Sequence, residues 1–248
     1  MDSYKDFALF YDRFTTDVDY QARTDYLCKI FKKYDRMPTL LLDMACGTGN
    51  FSREFAKCGV SVIGVDVSAD MLAVAKGKNT ADNTDILYLC QSAEELELYG
   101  TVDGAVCCLD SINHITDYKK LQKAFKKISL FLEKDRLFIF DVNTLYKHKN
   151  VLGNNTFVLE DMDVFCVWQN EYDSRKNTTY INIDFFKKDA NNKYDRYFES
   201  FAERAYTDEQ LIKALTTAGL KVEAVLGENT FKAPNKTAER KIFVTRKV

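Results

Sequence analysis

This sequence predicts an α/β fold: a doubly wound parallel sheet, a helical segment ahead of it, and an antiparallel β-meander inserted near its end. Three observations predict it. The apolar run Leu40-Leu41-Leu42 ends in Asp43 and continues through Met44-Ala45-Cys46 into Gly47-Thr48-Gly49. A buried strand feeding a tight turn has this form, and the spaced glycines let the backbone come close to a ligand. Apolar runs then alternate with helix-periodic segments as far as Val142, the pattern of a parallel sheet covered by helices. From Phe157 to Tyr206 the chain turns aromatic-rich with period two, the pattern of antiparallel strands with one wet face.

Tyr4, Phe7, Phe10, Tyr11 and Phe14 recur at helical spacing within residues 4–34, and a second helical segment is predicted from about Tyr20 to Tyr34. Met37-Pro38 breaks the pattern, because proline biases the residue before it toward extended backbone. A predicted strand, Thr39–Met44, leads to a predicted helix, Asn50–Lys57, stopped by Gly59. A second strand, Ser61–Val65, ends in Asp66 and is followed by a helix N-capped by Ser68 and running to about Lys78. Next come a strand at Ile86–Cys90, an acidic loop or short helix at Glu94-Glu95, and a strand at Val102–Leu109. A helix over Asp117–Leu132 and a strand over Arg136–Val142 close the series. Turn clusters at Asp173-Ser174-Arg175-Lys176-Asn177 and Asp189-Ala190-Asn191-Asn192-Lys193 divide the meander. Thr207-Asp208-Glu209-Gln210 is a capping-box signature for a helix ending at Gly219, and strands near Lys221–Leu226 and Lys241–Thr245 form an antiparallel edge.

Composition narrows the function classes. With 248 residues, the chain suits one elaborated α/β domain or two small ones, and two prolines with ten glycines leave no flexible linker. A net charge of -2 gives no reason to expect nucleic acid as the main partner. Met1-Asp2-Ser3-Tyr4-Lys5-Asp6 lacks the charge and apolar run of a signal peptide, and no apolar run is long enough for a bilayer, so a cytoplasmic protein without membrane contact is expected. Seven cysteines with no CxxC pair, and two histidines, predict reduced thiols and no metal.

The glycine turn departs from the dinucleotide fingerprint, because Ser52 stands at its third glycine position. Its pattern, Asp43-x-Ala45-x-Gly47-x-Gly49, resembles motif I of the class I S-adenosylmethionine-dependent methyltransferases. Asp66 at the end of the next strand, Ser68-Ala69-Asp70-Met71-Leu72 after it, and the antiparallel C-terminal pair strengthen the resemblance. Tyr11-Asp12 in the first helix, Cys46 and Thr48 in the motif, and the meander after Asn143 are similar to the small-molecule branch, which holds sugar amino-group N-methyltransferases and bacterial relatives of unassigned substrate.

The resemblance implies a Rossmann-like seven-stranded methyltransferase sheet with an N-terminal helical lid. Residues 1–150 and 207–248 are expected to form the cofactor-binding domain, with 1–36 as the lid and 151–206 as the inserted β subdomain. Asp66 would grip the ribose hydroxyls. Ala45, Gly47 and Gly49 would border the methionine portion, with Asp43 orienting the turn and holding the cofactor's amino group. Val67 and Ala93 would border the cofactor, Met71 would pack on the adenine ring or in the core, and Ser92, standing where many relatives carry Asp, would lie near the adenine amino group. Leu109 and Asp110 would face the sulfonium and the acceptor. His114 is a candidate general base, and Tyr11 a lid residue near the reactive methyl. Asp141 and Asn143 read more readily as an acid near the acceptor or a loop cap than as metal ligands. Phe165, Trp168, Tyr172 and Tyr180 would roof the acceptor or mediate contacts between copies. The expected activity is methyl transfer to an N or O atom of a small molecule by a monomer or homodimer. Methylation of RNA or protein, and non-catalytic cofactor binding, are the alternatives.

Overall fold

The structure, a computed structural model, describes residues 7–82 and 84–248. Tyr4, with the rest of Met1–Asp6, lies outside the described residues. The first two elements are helices α1 (Phe7–Phe14) and α2 (Tyr20–Tyr34). The main sheet is built from β1 (Leu40–Met44), β2 (Ser61–Asp66), β3 (Leu87–Cys90), β4 (Gly104–Cys107), β5 (Leu137–Asn143), β10 (Leu220–Gly227) and β11 (Arg240–Lys247). Its strand order is β10-β11-β5-β4-β1-β2-β3. β1 to β5 pair in parallel, while β11 runs antiparallel to both β5 and β10. The edge strands are therefore β10 and β3, and the last strand of the chain lies inside the sheet.

Alternation along each strand feeds two cores. Leu42, Met44, Val65, Ala105 and Cys107 face α6 (Tyr118–Phe131) and α8 (Asp208–Thr217). Leu41, Val62, Val106, Leu137 and Ile139 face α2, α3 (Asn50–Lys57) and α4 (Ala69–Asp82). A sheet covered on both faces needs near-continuous apolar strands; β5, Leu-Phe-Ile-Phe-Asp-Val-Asn, is buried at every position. The predicted caps form. Ser68 Oγ accepts from the Met71 N–H at 3.2 Å, and Thr207 and Gln210 close their capping box at 3.2 and 3.0 Å.

Two short elements escaped the sequence pattern: α5 (Ser111–His114), and α7 (Leu145–Lys147) continuing into a π-helical turn, His148–Leu152. Neither is long enough to show a period. β4 also stops short of its predicted end, because Leu109 and Asp110 adopt φ of 54° and 52°, which ends the ladder.

Between the π turn and α8, the chain forms a second sheet of β6 (Thr156–Asp161), β7 (Val164–Asp173), β8 (Thr178–Lys188) and β9 (Tyr194–Arg204), each antiparallel to the next. Val164, Cys166, Ile181, Ile183 and Phe185 make its inner row and pack on Phe10 of α1, whose ring lies 4.7 Å from that of Phe185. Arg13 bonds Asp161 at 2.6 Å and Asp163 at 2.8 Å, pinning α1 to the β6–β7 hairpin. All seven cysteines are free. Among the described residues no helix is long and apolar enough to cross a membrane.

Candidate active site

The loop from β1 to α3 contains three left-handed residues: Ala45, Gly47 and Gly49, at φ 57°, 55° and 76°. The two glycines serve different ends. A Cβ on Gly49 would lie 2.3 Å from Tyr88 Oη, so the position is closed by packing. A Cβ on Gly47 would meet nothing within 4 Å, so space stands beside the backbone there. Asp43 is buried beneath this loop and accepts from Ser52 Oγ at 2.5 Å. Burial pushes its carboxyl up to about 7, with the Ser52 bonds opposing and Asp66 adding to the rise. Asp66 accepts from the Gly47 N–H and the Ser68 N–H, both at 2.8 Å, and burial raises it as well. Among the described residues no Lys or Arg is bonded to either acid. A buried carboxyl at Asp43, a half-buried strand-end acid at Asp66, neither bonded to Lys or Arg, and a loop with open space fit a positively charged nucleoside carrying a diol.

Helix α1 covers this loop. Asp12 accepts from Thr48 Oγ1 at 2.7 Å and Asn50 Nδ2 at 2.9 Å, and pairs with Lys78 Nζ at 2.7 Å. Burial works to raise its carboxyl, and these three partners outweigh burial and lower it. Tyr11 is beside it; burial, then Tyr20 and Asp110, push its hydroxyl well above the usual range. Beneath the helix lies a cavity of about 30 Å³ bounded by Tyr11, Asp43, Ala45, Gly47, Thr48 and Leu109. That volume suits one water molecule.

The other half of the site is the turn from β4 to α5. Left-handed non-glycine residues cost about 1–3 kcal/mol each, and Leu109 and Asp110 are held there by Asp141. Its carboxylate accepts from the Leu109 N–H at 2.9 Å and the Asp110 N–H at 2.7 Å. The buried Arg240 guanidinium bonds Asp141 and reaches Asp110 Oδ1 at 2.7 Å. Burial opposes ionisation of Asp110, but Arg240, Lys147 and His114 bring it down to about 2. Asn113 Nδ2 donates to Asn143 O and Arg204 O at 3.1 and 2.9 Å, tying α5 to β5 and β9.

His114 ends α5, its ring 5.1 Å from that of Phe201 and its Nε2 3.6 Å from Glu203 Oε1. Burial lowers its pKa, against the pull of Asp110 and Asp66, so the imidazole is neutral near pH 7. Asp110, His114 and Glu203 each bring one donor atom within 4.8 Å of the others. The positive charge facing Asp110 is built in, as Arg240.

The predicted residues thus divide. Tyr11, Asp43, Ala45, Gly47 and Leu109 border one cavity, with Asp66 bonded to Gly47 and Asp110 beside Tyr11. Val67, 62% exposed, stands on the open edge after β2. Ser92 Oγ donates to Glu95 at 3.3 Å, and Ala93 begins the 3-10 turn. Met71 is buried within α4. The aromatics expected as a roof are split. Trp168 packs against the inner cluster, whereas Phe165 and Tyr180 lie on the outer face at 38% exposure each. Phe201 is the insert ring beside His114. Asp141 and Asn143 support the turn and the strands around it. Glu203 and Arg240 were not foreseen, and Asp12 entered only through the Tyr11-Asp12 resemblance, without a role. A charge on the buried row of a period-two strand, as at Glu203, and a lone arginine opening an apolar strand, as at Arg240, are signals that could have found these two.

A family model described as a methyltransferase domain matches residues 41–135. A candidate methyltransferase of Geobacillus sp. (strain WCH70) is 31% identical over 99% of this chain and 100% of its own length. The crystal structure of an S-adenosylmethionine-dependent methyltransferase from Clostridium acetobutylicum ATCC 824 is 33% identical, with a TM-score of 0.88 and coverage of 98% of both chains. The dTDP-3-amino-3,6-dideoxy-alpha-D-glucopyranose N,N-dimethyltransferase of Streptomyces fradiae is 24% identical over 84% of this chain and 80% of its own. The chain described here belongs to the S-adenosylmethionine-dependent methyltransferases, and S-adenosylmethionine is its cofactor.

Proposed function

We propose that this protein methylates an N or O atom of a small-molecule acceptor. The observation that carries the reading is the enclosure of the site. Tyr11 of α1, the β1–α3 loop and Leu109 of the β4–α5 turn bound one cavity, Asp110 acts on the Tyr11 hydroxyl, and His114 lies beside Phe201 of β9. Such a site suits a whole small molecule better than a segment of a polymer. The nitrogen reading draws support from the Streptomyces fradiae relative, whose name specifies an amino sugar.

When bound, S-adenosylmethionine supplies a methyl group on a positively charged sulfur. The residues have mainly to bind, align and dry the reactants. In this reading Asp66 holds the ribose hydroxyls, and the Ala45–Gly49 loop, buttressed by Asp43, holds the methionine portion. The N-terminal N–H groups of α3, which has no side-chain cap at Gly49, attract its carboxylate. Val67, Met71, Ser92 and Ala93 border the adenine. Tyr11 closes the site from α1, and Leu109 and Asp110 face the transfer. His114, neutral near pH 7, takes the proton that the acceptor gives up.

The test is conversion of S-adenosylmethionine to its demethylated product over a panel of small amines and phenols, with RNA and protein as separate arms. His114→Ala is expected to lower turnover by roughly 100-fold or more while cofactor affinity stays within about twofold. Turnover only in the RNA or protein arm overturns the small-molecule reading. Tight cofactor binding with no turnover in any arm favours a binding protein.

A further inference from the structure

Both histidines of this chain meet one carboxyl group. The sequence has two, His114 and His148, on different elements. Glu203 reaches them from the buried row of β9. Its Oε1 lies 3.6 Å from His114 Nε2, and its Oε2 lies 3.8 Å from His148 Nε2 while accepting from Asn143 Nδ2 at 3.3 Å. His148 is fully buried, with Nδ1 2.8 Å from Thr179 Oγ1 and with no hydrogen-bond partner for Nε2 among the described residues.

A buried carboxyl must either keep its proton or have its charge answered. The groups facing Glu203 are His114 from α5, Asp110 from the turn before it, Asn143 from β5, Lys147 from α7, His148 from the π turn and Arg240 from β11. Burial, then Asp110, push its carboxyl up to about 8, while Asn143, Lys147 and Arg240 pull it down. Burial keeps both imidazoles neutral, His148 at about 4. A carboxylic acid donates to the ring nitrogen it faces, whereas a carboxylate accepts from it. At 3.6 Å the His114 Nε2 and Glu203 Oε1 stand just outside hydrogen-bond reach, and a small approach lets the charge on Glu203 bias where the imidazole carries its proton.

We propose that Glu203 is a positioning residue that sets the tautomer of His114 through its Nε2, so that the last strand of the insert governs the base at the end of α5. The inference rests on the reading of His114 as proton acceptor. In the working form Glu203 is a carboxylate, the His114 Nε2–H donates to it, and Nδ1 carries the lone pair. As the acceptor atom bonds to the methyl carbon, the electron pair of the broken carbon–sulfur bond stays on sulfur. The acceptor's proton passes to Nδ1, and Glu203 keeps its charge beside the imidazolium.

The test uses the full chain with the demethylated product of S-adenosylmethionine bound and its histidine ring nitrogens isotope-labelled. With two histidines in the sequence, the ring-nitrogen spectrum reports this network alone, and His148→Asn assigns it. From about pH 6 to about pH 10, the His114 signals are expected to pass from Nδ1-protonated to Nε2-protonated, and Glu203→Gln is expected to abolish that passage. One tautomer throughout in the unmodified protein, or identical behaviour in Glu203→Gln, overturns the inference. If Glu203→Gln does not fold, Glu203→Asp decides: the passage persists with a moved midpoint, and an unmoved midpoint counts against. In turnover, Glu203→Gln is expected to lower kcat by roughly tenfold to 100-fold with the KM for S-adenosylmethionine within about twofold. A matching rise in that KM would mark a merely structural role and overturn the proposal. Failure of the underlying reading has a different signature: His114→Gln keeps full turnover although the tautomer passage is present in the unmodified protein.

Discussion

The two halves of the site treat their acids in opposite ways. On the β1–β2 side, Asp43 is buried and Asp66 half-buried, neither is bonded to Lys or Arg among the described residues, and burial raises both. On the β4–β5 side, buried Asp141 and half-buried Asp110 flank the Arg240 guanidinium, and Asp110 falls to about 2. In the proposed reading, the first half leaves its acids to be answered by the cationic cofactor. The second half carries its own cation and keeps a strained turn in place with or without ligand. An uncompensated acid pair thus marks where charge arrives, and a compensated pair marks where geometry is held.

The largest way to break this contrast is to remove the built-in cation. Arg240→Met should destabilise the fold by about 3–5 kcal/mol, because buried Asp141 and half-buried Asp110 lose their partner, and chemical denaturation measures it. A loss as small as a surface substitution would mean that solvent already compensates Asp110 and Asp141.

The pH dependence sharpens the other side. Asp43 rises from an ordinary 3.8 to about 7, and Glu203 from 4.5 to about 8. Each folded-state value is raised, so the folded state favours the protonated form. The stability contribution is fully present below the ordinary values and is lost as pH rises through about 7 and about 8. The slope is on the order of 1.4 kcal/mol per pH unit for each group across its window. Glu203→Gln should flatten the upper part of that decline in ligand-free protein, gaining on the unmodified chain between about pH 6 and pH 9 in thermal melts. Parallel melting curves for the two proteins would contradict the raised carboxyl.

Asp66→Ala should weaken S-adenosylmethionine binding by at least about tenfold, or roughly 1.4 kcal/mol, in calorimetry. Unchanged affinity would remove the ribose role. The smallest effect belongs to the covering helix. Asp12→Asn should cost about 1 kcal/mol of stability while speeding cofactor release in stopped-flow displacement; an unchanged release rate would show that another contact holds α1 down.

The two halves also differ in how far they could be read from sequence. The first is nearly continuous: Asp43, Gly47 and Gly49 fall within one strand and its turn, and Asp66 closes the next strand. A local pattern sufficed there, down to the Ser68 cap. The second is gathered from Asp110, His114, Asp141, Glu203 and Arg240, whose chain separations exceed any hydrophobic period. Periodicity placed β5, β9 and β11 but said nothing of which residues would meet between them. The short α5 and the left-handed Leu109-Asp110 turn were invisible because no glycine marks them; Asp141 supplies from 31 residues away what a glycine would have supplied locally. The meander was legible as strands, yet its aromatics could not be sorted into inner and outer rows before the register was known.

Helix α1 grips the cofactor loop with Asp12 and the β6–β7 hairpin with Arg13, neighbours in sequence. A movement of α1 that breaks the Asp12 contacts would also load the Arg13 contacts, so release of the nucleoside and loosening of the second sheet are expected to be coupled. Spent cofactor and methylated product should then depart in a linked order. Rising ionic strength, which loosens both grips, should shorten the stay of each together.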